Sequence, residues 1–262
     1  MTWRWWVQGM ALLLAGGLWA LPGTRRVLVD GHERTALVYP GKNAASVPSP
    51  LVLVFHGFGG TSSSAAYAAE LHQVWPEATV VYPQGSTVTM RTTPPQQNNG
   101  WQFGPGREDD KDLKFIDVLL RSVKDLYLVD PHRIFACGVS NGALFTYMLL
   151  TYRPHDFTAF AIVAGTGPFV TDATVPKPVL IIQGKRDTTV KLSQSTDTRD
   201  LLLKLNRCGT TTVPWGPGCI TYTPCATGKP VVWCLHDGGH IWPSFATSRI
   251  VRFFIEQGET QP

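Results

Sequence analysis

Gly-Val-Ser-Asn-Gly at residues 138–142 is the stretch from which the fold of this chain can be inferred. It follows an apolar run, residues 134–137, and precedes a run typical of a helix, residues 143–150. A G-x-S-x-G pentapeptide between a strand and a helix holds its serine in a strained turn, with the hydroxyl pointing out of the sheet. The glycines are needed because a Cβ would clash with the neighbouring strand or helix. The pattern indicates attack of Ser140 on a carbonyl carbon, provided that a base and an acid lie elsewhere in the chain.

The rest of the chain alternates apolar runs with helical patterns. Unbroken apolar runs, typical of buried parallel strands, lie at residues 51–55, 79–82, 134–137, 160–163, 178–182 and 231–235. Helical patterns lie at residues 65–75, 112–127, 195–205 and 245–257. This alternation predicts an α/β fold with a mostly parallel sheet and helices on both faces. We expect an edge strand at residues 34–39, which alternate polar and apolar, and irregular structure at 85–106 and 206–230.

Composition suits a globular protein. Of 262 residues, 44% are hydrophobic and 16% are charged, which supplies a core and argues against disorder. The net charge is +4, but Arg4, Arg25 and Arg26 lie near the N-terminus and the remainder is nearly balanced. We therefore expect no nucleic-acid partner.

The N-terminus has the pattern of a secretory signal. Arg4 provides a basic start, residues 7–20 are apolar, and residues 21–23 end the run. Because the run is short for a membrane span, we predict a signal peptide at 1–23 and a single catalytic domain at 24–262. The mature protein would be secreted, extracellular or periplasmic, with no membrane attachment. An uncleaved membrane anchor is the alternative, since tryptophans flank the run.

Four of the five cysteines cluster late in the chain, and the fifth lies in the run at 134–137. In an exported protein Cys208, Cys219, Cys225 and Cys234 can form two disulfides by any of three pairings. A zinc site is the competing interpretation, which the lack of a C-x-x-C pair disfavours. Cys137 is predicted to be a buried free thiol that packs as a small hydrophobe.

An acid and a base for Ser140 follow two of the predicted strands. Asp187 comes soon after the run at 178–182, and His240 soon after the run at 231–235. Because α/β folds build their sites at the carboxyl ends of strands, we predict that Ser140, Asp187 and His240 form a catalytic triad. The order Ser, Asp, His is that of α/β-hydrolases.

Other roles for the same residues remain open. His236 is the rival base, and His236, Asp237 and His240 resemble a metal-binding trio. The intervening glycines disfavour a rigid ligand set, so we expect neither a metal nor a cofactor.

An oxyanion hole requires two backbone N–H groups that point at the developing charge. We assign one to Asn141, the residue after the serine, and the other to Phe58 in the glycine-rich loop at 56–61. A plain tight turn is the alternative for this loop. A phosphate site is disfavoured, because the loop has neither a G-x-G-x-x-G pattern nor a P-loop lysine.

Several of these motifs resemble one known group of proteins. They are His-Gly-Phe-Gly-Gly at 56–60, Tyr-Pro-Gln-Gly at 82–85, Val-Asp-Pro-His-Arg-Ile at 129–134, Gly-Val-Ser-Asn-Gly at 138–142 and Gly-Gly-His-Ile-Trp-Pro at 238–243. The chain resembles the secreted esterases that group polyhydroxybutyrate depolymerase-like proteins with carbohydrate esterase family 1 feruloyl esterases. Residues 230–240 look most like the feruloyl esterase branch. The resemblance implies an α/β-hydrolase fold and a serine carboxylic ester hydrolase.

The resemblance also implies finer features. It favours the disulfides Cys208–Cys225 and Cys219–Cys234, and a structural role for Asp112. Feruloyl esters on plant cell-wall polysaccharide are the first expected substrates, hydroxybutyrate or other polyesters the second, and acetylxylan the third.

The acyl pocket and the protein's class remain hypotheses. Trp101 and Trp242 could wall an aromatic acyl pocket, and core packing is the alternative for each. A secreted binding protein on a hydrolase scaffold is the non-enzymatic alternative, since fold alone does not determine function. We expect a monomer.

Overall fold

The computed structural model describes residues 21–259, through which one ten-stranded sheet runs. The strands are β1 Gly23–Val29, β2 His32–Tyr39, β3 Ser49–Phe55, β4 Thr79–Pro83, β5 Ser86–Met90, β6 Gln96–Gly100, β7 Val129–Val139, β8 Ala159–Val163, β9 Val179–Gly184, β10 Cys208–Gly216, β11 Cys219–Cys225 and β12 Val231–His236. The helices are α1 Ser62–Ala69, α2 Leu71–Val74, α3 Lys111–Lys124, α4 Asn141–Tyr152, α5 Leu192–Leu205 and α6 Ala246–Glu259.

The large sheet has the order β1-β2-β4-β3-β7-β8-β9-β12-β11-β10. Its six central strands, β4 to β12, run parallel. On each side of them, the two outer strands pair antiparallel with their neighbours. The predicted mostly parallel α/β sheet is therefore confirmed, and the carboxyl ends of β3, β7, β9 and β12 meet at one edge, where the polar loops follow.

Burial explains why the central strands were recognisable in the sequence. Every residue of β3, β4, β8 and β9 is buried. Separate hydrophobic clusters cover the two faces of the sheet: α3, α4 and α5 pack on one face, and α1, α2 and α6 on the other. Because both faces are covered, the strands are apolar without alternation.

Four local predictions differ from the structure. The strand at residues 34–39 is not an edge strand, because β1 pairs along its outer side. The segment at 85–106 contains the β5–β6 hairpin, and the segment at 206–230 forms β10 and β11 at the far edge of the sheet. These strands are mostly polar and half-exposed, so they lack the unbroken apolar runs of the central sheet. The helix at 65–75 is divided at Glu70, whose φ is +43°.

Two disulfides hold the far edge together. Cys208–Cys225 joins β10 to β11, and Cys219–Cys234 joins β11 to β12, which is the pairing that the resemblance implied. Cys137 is a buried free thiol, and burial raises its pKa. Disulfides of this kind are typical of proteins from oxidising compartments.

Most of the predicted signal peptide, residues 1–20, lies outside the described residues. Between residues 21 and 259, no helix has both the length and the apolar character needed to cross a bilayer.

Asp112 lies in the first turn of α3 and is fully buried. Its carboxylate accepts hydrogen bonds from the Arg34 guanidinium at 2.7 Å and from the backbone N–H of Gln102 at 2.7 Å. It thus fixes the chain that follows the β5–β6 hairpin to both β2 and α3. This agrees with the structural role that the resemblance implied.

Candidate active site

Ser140 lies in a tight turn between β7 and α4. Its φ of +58° and ψ of −121° are strained for a residue with a side chain, which costs on the order of 1–3 kcal/mol. Two backbone hydrogen bonds hold the turn: the Ser140 N–H donates to Val163 O at 3.1 Å, and the Leu144 N–H donates to Ser140 O at 3.0 Å. A Cβ on Gly142 would lie 2.3 Å from the Phe55 carbonyl oxygen. Only glycine therefore lets α4 begin this close to β3.

The side chains of Ser140, His240 and Asp187 form one hydrogen-bonded chain. Ser140 Oγ lies 2.7 Å from His240 Nε2. On the other side of the ring, His240 Nδ1 lies 2.8 Å from Asp187 Oδ2. A carboxylate can only accept, so Nδ1 carries the hydrogen and Nε2 is left to accept from the serine hydroxyl. This is the protonation pattern that a general base requires.

Asp187 is buried and receives several hydrogen bonds. The N–H groups of Thr189 and Val190 donate to Oδ1, each at 2.9 Å, and the amide of Gln183 donates to Oδ2 at 3.2 Å. Burial raises the pKa of Asp187, but the hydrogen bonds from His240, Val190 and Thr189 outweigh it, and the pKa lies below its ordinary value. Sequence reasoning missed Gln183; a polar residue inside the apolar strand β9 was the available signal.

The loops that carry Asp187 and His240 are fastened to each other by backbone contacts. The N–H of Arg186 donates to Gly238 O at 3.0 Å, and the N–H of Lys185 donates to His236 O at 2.8 Å. A Cβ on Gly184 would lie 2.4 Å from the Gly239 carbonyl oxygen. The two loops are thus in direct contact at the residues that immediately precede His240 in the chain.

His236 has a structural position in this loop. Its Nδ1 accepts from the Gly238 N–H at 3.1 Å, and its ring packs edge-on against Phe245. Burial lowers the pKa of His236, with partial opposition from Asp187 and Asp237. In this geometry His240, not His236, contacts Ser140.

The residues of the hypothetical metal trio point to different partners. Asp237 is exposed and forms an ion pair with Lys185 at 2.9 Å. Across residues 21–259, no group of three or more His, Cys, Asp or Glu side chains is arranged to hold a metal ion.

Phe58 and Asn141 both line the cavity beside Ser140. Asn141 is the first residue of α4, where backbone N–H groups have no acceptor within the helix. The loop of Phe58 touches the serine, because a Cβ on Gly57 would lie 3.3 Å from Ser140 Cβ. The two residues assigned as oxyanion donors therefore both border the cavity that contains Ser140.

The cavity beside Ser140 has a volume of about 150 Å³ and a mainly apolar lining. Its apolar side chains are Phe58, Met90, Phe103, Leu144 and Val190. The rings of Phe58 and Phe103 lie 6.2 Å apart between centroids. A larger cavity of about 420 Å³ lies between the β1–β2 hairpin and the start of α3, and none of these side chains lines it.

The prediction that two tryptophans wall this cavity was wrong. Trp101 is 0% exposed; its ring stacks on Phe145 of α4 and meets Phe55 of β3 edge-on inside the core, and it does not line the cavity. Trp242 packs against the core beneath α6 and donates its indole N–H to Thr247 at 3.1 Å. Phe103, two residues after Trp101, is the aromatic side chain that this segment brings to the cavity.

Two curated esterases are similar in sequence to this chain. Feruloyl esterase D from Neurospora crassa is 23% identical over 222 residues, covering 81% of this chain and 75% of that protein. Probable feruloyl esterase C from Aspergillus clavatus is 27% identical over 216 residues, covering 78% of this chain and 76% of that protein. No protein-family model matches the chain.

A solved structure shows the same fold. The acetyl xylan esterase from Aspergillus awamori superposes with a TM-score of 0.67 at 15% identity, covering 88% of this chain and 98% of that one. The fold is thus that of the α/β-hydrolases, and the resemblance to feruloyl esterases is confirmed by the sequence relatives.

Proposed function

We propose that this α/β-hydrolase is a secreted serine carboxylesterase of the feruloyl esterase type, with Ser140, His240 and Asp187 as its catalytic triad. The observation that carries the proposal is the pair of hydrogen bonds at 2.7 Å and 2.8 Å that joins the three side chains, with the serine in a strained turn. The esterase relatives support the reaction class. The two disulfides support an oxidising, extracytoplasmic location.

The reaction follows from these contacts. His240 takes the hydroxyl proton as Ser140 Oγ attacks the ester carbonyl carbon, and Asp187 stabilises the resulting imidazolium. The backbone N–H groups of Phe58 and Asn141 bind the negative oxygen of the tetrahedral intermediate. His240 then gives its proton to the leaving alcohol, and an acyl-enzyme remains. Water, deprotonated by the same histidine, attacks the acyl-enzyme and releases the acid.

The cavity favours an acyl group with a flat apolar portion. Phe58 and Phe103 offer ring surfaces, and Met90 offers a flexible side chain that adapts to an aromatic ring. A hydroxycinnamoyl group matches this lining better than an acetyl group, which would leave most of the apolar surface uncovered. Feruloyl esters are therefore the proposed first substrates. Polyesters and acetylxylan are the alternative substrates.

Substitution of Ser140 by Ala tests the reaction class. We expect hydrolysis of p-nitrophenyl acetate to disappear and labelling by a fluorophosphonate probe to be lost. If wild-type protein with a native circular dichroism spectrum were neither active nor labelled, the binding-protein alternative would replace the enzyme. Activity that survives in the Ser140→Ala variant would refute the assignment of the nucleophile.

A panel of esters tests the substrate class. We expect the wild-type kcat/KM to be higher for methyl ferulate than for methyl acetate or hydroxybutyrate oligomers. Phe103→Ala should lower the value for methyl ferulate by about tenfold and change the value for methyl acetate little. Equal losses on both esters would refute the aromatic acyl pocket but would leave the esterase assignment intact.

A further inference from the structure

The side chains of Asn141 and Trp101 connect the two halves of the proposed oxyanion hole. Asn141 Oδ1 accepts from the Trp101 backbone N–H at 2.7 Å, and Asn141 Nδ2 donates to the Trp101 carbonyl oxygen at 3.0 Å. The indole N–H of Trp101 then donates to the carbonyl oxygen of His56 at 2.9 Å. His56 is two residues before Phe58, so this chain of contacts runs from one proposed N–H donor to the loop that carries the other.

The contacts are buried and closely fitted. Trp101 is 0% exposed and Asn141 is 6% exposed. A Cβ on Gly100 would lie 2.8 Å from Asn141 Oδ1, so the segment can approach the amide only because that position is glycine. Phe55 and Phe145 hold the indole ring, with centroids 5.1 Å away in each case. The ring therefore has a single orientation in which its N–H meets His56.

The Phe58 loop is held from the hairpin side as well. The Gly59 N–H donates to the Asn99 carbonyl oxygen at 2.7 Å. His56 Nε2 accepts from the Gly85 N–H at 3.0 Å, and His56 Nδ1 bonds to the Gly57 carbonyl oxygen at 2.7 Å. The Phe58 loop, which supplies one proposed oxyanion donor, is thus hydrogen-bonded to the chain at both ends of the β5–β6 hairpin.

We propose that Asn141 and Trp101 act, through their side chains, as positioning residues that set the spacing of the two oxyanion N–H groups. The proposal rests on the esterase function proposed above. Fixed dipoles stabilise a developing charge best when they do not need to reorient during the reaction. We call the hydrogen-bonded chain Asn141–Trp101–His56 the strut. Because it holds both donors before substrate binds, its loss should weaken binding of the transition state and leave binding of the ground-state ester unchanged.

Two substitutions test the strut from its two ends. Asn141→Ala keeps the backbone N–H that binds the oxyanion but removes both bonds to Trp101. Trp101→Phe keeps an aromatic ring in the core but removes the N–H that bonds His56. Trp215→Phe is the matched control, because it deletes a comparable indole hydrogen bond, to Glu256 at 2.9 Å, away from the site.

The readouts are kcat, KM and the inhibition constant of phenyl trifluoromethyl ketone. Ser140 adds to this ketone to form a hemiketal whose negative oxygen lies in the oxyanion hole, while the serine proton passes to His240. We expect both strut variants to lose about 10- to 100-fold in kcat on p-nitrophenyl acetate, less than the 10²–10³ typical for loss of a donor itself. KM should stay unchanged, the inhibition constant should rise in parallel with the loss in kcat, and the control should keep wild-type values.

Other outcomes separate the two proposals. Wild-type kcat in Trp101→Phe, an unchanged inhibition constant, or an equal loss in Trp215→Phe would overturn the strut. If Asn141→Ala did not fold, Trp101→Phe would decide alone, with its melting temperature compared with that of Trp215→Phe. A Ser140→Ala variant that still hydrolysed the ester would overturn the proposed function instead, and it is measured first.

Discussion

The loop that carries Asp187 and the loop that carries His240 are in contact at Gly184, so Gly184→Ala is expected to disturb the catalytic site. The added Cβ would lie 2.4 Å from the Gly239 carbonyl oxygen and 2.6 Å from that of Gly238. Both obstacles are backbone atoms, so no side chain can rotate away. Ordinary contact begins near 3.4 Å, so the two loops must separate by about 1 Å (3.4 − 2.4).

That displacement falls on His240, the next residue after Gly239. Its Nε2 lies 2.7 Å from Ser140 Oγ, and a shift of about 1 Å would carry the pair beyond hydrogen-bonding distance. Misplacement of a catalytic group by about 1 Å can lower the rate about 100-fold, or raise the barrier by about 2.7 kcal/mol. We therefore expect kcat/KM on p-nitrophenyl acetate to fall by about 100-fold in Gly184→Ala.

Gly239→Ala provides the control for this experiment. Its Cβ would meet only the Arg186 carbonyl oxygen, at 3.4 Å, which is ordinary van der Waals contact. The control should keep activity within a few-fold, because it adds the same methyl group without forcing the loops apart. Wild-type kcat/KM in Gly184→Ala, or an equal loss in both variants, would refute the reasoning from loop packing.

Three further predictions concern other parts of the molecule. Asp187→Asn should lower kcat on p-nitrophenyl acetate by about 10⁴-fold with native secondary structure, because the amide cannot hold His240 as the Nδ1–H tautomer; a loss below tenfold would count against its role. Burial lowers the pKa of His56 below 6.5 in the folded protein. The stabilisation that comes from keeping His56 neutral is therefore complete above pH 6.5, and it is lost as the pH falls from 6.5 towards the folded-state pKa. Urea unfolding should therefore show a shallower decline below pH 6.5 in His56→Asn than in wild type, and parallel curves would contradict this. Replacing both Cys219 and Cys234 by serine should lower the free energy of unfolding by about 3 kcal/mol for a closed loop of 15 residues, and urea unfolding without loss of stability would show that the bridge does not matter.

The parts of the fold that were predictable share a local cause. Strands such as β9 are buried on both faces, so each is a continuous apolar run that can be recognised without its neighbours. The turn at Ser140 was recognisable because steric crowding imposes glycine on both sides of it. Asp187 and His240 followed from these elements, since polar residues just after buried strands lie at the same edge of the sheet.

The parts that were missed depend on partners distant in sequence. Trp101 lies in a segment rich in Asn, Gln and Pro, and nothing local indicates that Phe55 and Phe145 will enclose its ring. The β5–β6 hairpin pairs mostly polar, exposed strands, so neither strand contains the unbroken apolar run by which the central strands were recognised. An aromatic residue in a polar loop was therefore assigned to the cleft, although its position in the fold is the core.

The proposed machinery is held from two sides by different kinds of contact. On one side, β9 and β12 bring Asp187 and His240 together through backbone packing at Gly184 and an amide from Gln183. On the other side, the hairpin segment contacts both proposed oxyanion donors' segments through the hydrogen bonds of Trp101. Ser140 is common to both, and its strained backbone is fixed by the close fit of α4 against β3. Because the two supports use different side chains, a change in one should alter proton transfer to His240, and a change in the other should alter stabilisation of the oxyanion.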